Sequence, residues 1–98
     1  MEQKTNEITA EHLEKYFKIG KEALDKVKAN PMCEERSEQA KDFLDMAQRY
    51  YQDALHFKEK GEIVNAFGCL NYAHGWLDAG ARIGLFKVKD SRLFTVDD

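Results

Sequence analysis

The chain has almost no proline: one residue, Pro31, in 98. With only six glycines beside it, little material is left for the many turns of an all-β fold. Cysteine is nearly as scarce. Cys33 and Cys69 are too few for a disulfide framework or a zinc site, and they read as free thiols of a reducing cytoplasm. No apolar run approaches the roughly 20 residues that cross a bilayer. The opening MEQKTNEITAEH is polar and acidic, unlike a signal peptide. No basic block stands out from a formal net charge of -3, so neither a nucleic-acid surface nor a membrane partner is indicated.

Chemistry-bearing patterns are equally sparse. His12, His56 and His74 form no His-x-x-x-His or Glu-x-x-His pair, so no metal site is expected. Cys69 and His74 fall on one helix about 140° apart, which points them in different directions and leaves no nucleophile with its base. No glycine-rich phosphate loop follows a strand. The expectation is a protein with no catalytic residue and no cofactor.

What the chain does have is helical periodicity. Hydrophobic residues make up 43% and charged residues 34%, as in a globular protein. The length suits one domain over residues 1–98. The spacing predicts helices over residues 10–29, 35–60 and 62–84, with a tail over 85–98. Thr9 is placed to cap the first helix, with Ile8 and Leu13 as a hydrophobic staple. Its stripe is Leu13, Tyr16, Phe17, Gly20, Ala23, Leu24 and Val27, and Asn30-Pro31 ends it. The second stripe is Ala40, Phe43, Leu44, Ala47, Tyr51, Ala54 and Leu55, stopped by Gly61. The short link at Gly61 makes helices two and three antiparallel neighbours. The fold class is therefore all-α, an up-down-up three-helix bundle with a short C-terminal tail.

The third helix differs from the other two. Ile63, Phe67, Leu70, Leu77 and Ala81 lie on one side, and Gly68, Tyr72, Trp76, Ala79 and Ile83 on the other. Such a helix is central to the fold or lends one side to a partner. Gly68, Gly75 and Gly80 weaken it by up to ~1 kcal/mol each against Ala, which makes sense where another backbone comes close. Tyr72, Trp76 and Ile83 are the candidate interface. They would be covered by the tail, by an unknown protein partner, or by an identical subunit in a homodimer. Between the two sides runs a polar strip of Asn71, Asp78 and Arg82. Asp78 and Arg82 read first as a surface ion pair, and second as a holder for an anion or a partner's carboxylate.

The run from Tyr72 to Arg82, YAHGWLDAGAR, carries a further signal, together with Tyr50-Tyr51, Asp53-Ala54, Phe57, Gly61 and Ala66-Phe67. It resembles an archaeal domain-of-unknown-function family, number 357, over roughly Leu13 to Phe86. The resemblance implies a small cytoplasmic helical bundle and no activity. The spacing of Ala54, Gly61, Ala66, Tyr72 and Ala73 is also similar to one tetratricopeptide hairpin, though no second copy is present. It is similar again to HEPN domains, whose nucleases use an Arg and a His four to six residues apart. Arg49 and His56 have six residues between them but precede the hairpin turn, where that family's pair belongs further along. The reading that follows is a non-catalytic, self-associating or partner-binding interaction module. The alternative is an RNA- or nucleotide-directed HEPN-like protein.

Overall fold

The computed structural model describes residues 7–96. Met1–Asn6 of the lead-in and Asp97–Asp98 of the tail lie outside them. Three helices make up the fold: α1 (Ala10–Ala29), α2 (Ser37–Glu59) and α3 (Ile63–Arg82). A single 3₁₀ turn, Glu34–Arg36, leads into α2. The protein is an all-α three-helix bundle.

Each helix ends where local chemistry stops it. The Thr9 hydroxyl accepts from the His12 amide at 3.1 Å, and Ile8 packs on the cluster that holds Leu13. Past Asn30, Pro31 prevents continuation. Gly61 takes φ +75° and Gly84 φ +80°. Each lets the next amide fold back on its helix: Glu62 to the Phe57 carbonyl at 2.9 Å, and Leu85 to the Gly80 carbonyl at 2.8 Å.

The α2–α3 contact is the densest in the molecule, α3 also packs on α1, and α1 barely meets α2. The reason lies in small residues. Ala40, Ala47 and Ala54 recur at seven-residue steps on α2 and are fully buried. Ala66, Ala73 and Gly80 recur at the same step on α3 and are also buried. The ring pairs Phe43–Trp76 and Tyr50–Tyr72 fix the register that puts these two seams level. Small seams let two helices approach to the short end of the usual 8–10 Å. Bulky residues must then stand on the flanks of the contact. Leu44 and Tyr51 turn toward α1, and Phe17 meets Tyr51 edge-on at 5.9 Å. Phe43 and Tyr50 turn the other way, outward.

The last dozen described residues close the bundle. Leu85, Phe86, Val88, Leu93 and Phe94 are buried. Phe86 pairs with Met32 in an isolated antiparallel bridge, held by Cys33 to Leu85 at 2.9 Å and Lys87 to Pro31 at 3.0 Å. The segment then runs beside α1 and α3. There Asp90 accepts from Lys26 at 2.9 Å, and Arg92 pairs with Glu22. Fully burying side chains such as Leu93 and Phe94 stabilises by roughly 1.5–3 kcal/mol each, which holds an otherwise irregular strap in place.

Candidate functional site

The core side of α3 accounts for Ala66, Leu70, Ala73, Leu77, Gly80 and Ala81. Its opposite side is open. Val64, Tyr72 and Ile83 are the large hydrophobics that stand exposed among the described residues, at 75%, 54% and 51%. All three belong to that side. A Cβ added at Gly68 or Gly75 would meet nothing within 4 Å. Gly68, Gly75 and Ala79 therefore form a smooth floor along the middle of the exposed face.

Aromatic rings wall the floor on the α2 side. Trp76 stands edge-on to Phe43 at 5.0 Å, and Tyr72 edge-on to Tyr50 at 4.4 Å, geometries aromatic pairs favour. Tyr72 and Trp76 also meet at 6.3 Å. Trp76 is half-buried by this packing and Tyr72 is not. A shallow groove of about 290 Å³ runs between the wall and the floor, bordered by Phe43, Asn71, Tyr72, Gly75, Trp76 and Ala79. Phe43 and Tyr50 are absent from the candidate set read from sequence, because the α2 stripe alone does not reveal which flank faces outward.

The tail does not cover this groove. It crosses the end of the bundle and settles along the other margin of α3. His74 Nε2 meets the Leu93 carbonyl at 2.7 Å. The Asp78 carboxylate accepts from the Thr95 amide and, at 2.8 Å, from the Thr95 hydroxyl. Arg82 reaches the Thr95 carbonyl at 3.5 Å. Two members of the polar strip thus grip the strap, whereas Asn71 is exposed at the groove. An open trough of about 560 Å³ follows the strap, with Arg82 and Arg92 at its edge. Arg92 there is held by Glu22, and the pair lowers the Glu22 carboxyl from its usual range.

The glycines divide by environment. The expectation of a close backbone neighbour fails at Gly68 and Gly75, while Gly80 lies in the tight seam with α2. At Gly80 an added Cβ would sit 2.3 Å from the Phe86 ring, so a side chain fills that space, and Gly68 and Gly75 are open.

Arg49 and His56 share the solvent side of α2, two turns and about 10 Å apart along the axis. Arg49 is 71% exposed and bonded to Asp45 at 2.9 Å. They do not meet in a cleft. Among the described residues no group of three or more His, Cys, Asp or Glu side chains gathers as a metal site would require. Nor, among those residues, is any helix long and apolar enough to cross a membrane. Cys69, beside Asp53, has its thiol pushed up by burial, while the Arg36 side chain pulls the Cys33 thiol down.

The profile of the family described as "Protein of unknown function (DUF357)" matches residues 15–86. The chain belongs to that family. The matched span takes in most of α1, all of α2 and α3, and the Met32–Phe86 bridge. The DUF357 chain has no significant match among curated proteins or among solved structures.

Proposed function

We propose that this DUF357 protein is a non-catalytic interaction module, a single domain working in a reducing cytoplasm, and that the outer face of α3 is where its partner docks. The observation that carries this reading is the coincidence of exposed Tyr72 and Ile83 with an open glycine floor on one helix face. Contiguous apolar surface of this kind is unusual on a monomer, and Tyr and Trp are favoured at interfaces. The groove is shallow and open, and it lies along the axis of α3 from Asn71 to Ala79, which suits a helix laid against it rather than a small molecule enclosed by it.

A photo-crosslinking phenylalanine analogue placed at Tyr72, with a control at exposed Lys28, tests the reading in living cells. Protein adducts, to itself or to another chain, are expected from position 72 and not from 28. Absence of any protein adduct at 72 overturns the proposal. A ribonuclease-sensitive adduct there would favour the RNA-directed alternative instead.

A further inference from the structure

We propose that the occupant of this groove is a second copy of the same chain, laid antiparallel across the first; the proposal rests on the interaction reading above. The exposed face of α3 is self-complementary in its spacing. Val64, Gly68, Tyr72, Gly75, Ala79 and Ile83 are separated by four, four, three, four and four residues, the same series in either direction. A two-fold axis level with Ala73 and His74 therefore sets Tyr72 against Gly75 of the partner subunit. It sets Gly68 against Ala79 of the partner subunit, and Val64 against Ile83 of the partner subunit. Each large side chain meets a small one or another aliphatic: Tyr72 packs on Gly75 of the partner subunit at the axis itself, and the small pair, Gly68 with Ala79 of the partner subunit, lies about one and a half turns to either side. Isologous interfaces require that one patch fit itself in this way.

The chain already uses this device internally, in the seams of Ala40, Ala47 and Ala54 against Ala66, Ala73 and Gly80. The outer face repeats it on the other side of the same helix. Dipoles and charge both bear on the direction. Arg82 stands at the C-terminal margin of this face, its guanidinium turned to the Thr95 carbonyl of the strap. Parallel pairing would put two guanidinium groups together. Antiparallel pairing moves them about 26 Å apart along the axis, well past the ~10 Å screening length, and opposes the helix dipoles favourably. The available area is adequate. A 20-residue helix is about 30 Å long, and with α2 beside it the face is about 18 Å wide. That footprint of about 500 Å², before surface relief is counted, is of the order of the ~800 Å² of accessible area that each partner gives to a stable interface.

The full chain should double its mass as its concentration rises, read by sedimentation velocity or light scattering. Gly75→Trp or Ala79→Arg should return it to monomer, with helicity kept and Tm not lowered at dilution, because a Cβ added at Gly75 meets nothing within 4 Å, Gly is the weaker helix former, and Ala79 is exposed within one subunit. Orientation is read by disulfides in a Cys33→Ser, Cys69→Ala background. Mixing Gly68→Cys chains with Ala79→Cys chains should give the 68–79 crosslink. Crosslinks of 68 to 68 and 79 to 79 alone would overturn the antiparallel arrangement. A chain that stays monomeric to millimolar concentration would overturn the second copy as occupant. The docking face itself would then stand or fall separately, on whether position 72 still crosslinks to another protein.

Discussion

Glycine alone does not state its purpose, and α3 makes this plain. Gly68 and Gly80 occupy one helix, yet a methyl group at the first meets open space and at the second strikes the Phe86 ring. Gly68→Ala should therefore stabilise the monomer by up to ~1 kcal/mol, through helix propensity alone. Gly80→Ala should destabilise it by about 1–3 kcal/mol, since Phe86 and the strap behind it must shift. Thermal melts at dilute concentration check both, and a 1 kcal/mol change moves Tm by roughly 4–8 °C in a domain of this size. In sequence the two glycines look alike. What distinguishes them is a phenylalanine six residues beyond Gly80, brought back by the left-handed turn at Gly84.

Among the elements, the strap is the one whose placement is least written in its own sequence. Its apolar residues signal that it docks, but its irregular spacing gives no face to match with a partner. The contacts that position it are polar and distant in sequence: Lys26 to Asp90, Glu22 to Arg92, and Asp78 to Thr95. Asp78 and Arg82 were visible as a strip, and their ligand proves to be the chain's own backbone near Thr95. Phe86→Ala should cost about 3–5 kcal/mol by leaving a cavity. Acid should loosen the same element. The hydrogen bond from Lys26 holds the Asp90 carboxyl below its usual range, and Arg92 does the same for Glu22. Their stabilisation is complete above the ordinary carboxylate range and disappears as pH falls through the lowered folded values. Asp90→Asn should flatten the acid limb of a Tm-versus-pH series between about pH 6 and pH 2, whereas an unchanged limb would assign acid sensitivity elsewhere.

For the whole molecule, the helix order, the Gly61 reversal and the two-sided character of α3 follow from periodicity and turn chemistry alone. The candidate site was half legible. Tyr72 and Ile83 could be named, but the alanine seams that push Phe43 and Tyr50 outward became clear only once both helices were set side by side. A stripe read on one helix puts bulk at its centre, and close packing places that bulk on the flanks. An assembly through this face buries few charges. Its mass distribution should therefore hardly change between about 0.05 M and about 0.5 M salt, where an association driven by surface ion pairs would weaken.

The clasp between the Met32 region and Phe86 also dictates a timetable. Protein synthesis delivers α1 first and the strap after all three helices, so the core that Leu24, Val27 and Leu77 share with Phe86, Leu93 and Phe94 stays incomplete until the last residues emerge. Any chain halted soon after Gly84 would carry that unfinished seam into the cell, as a greasy flag for chaperones and proteases.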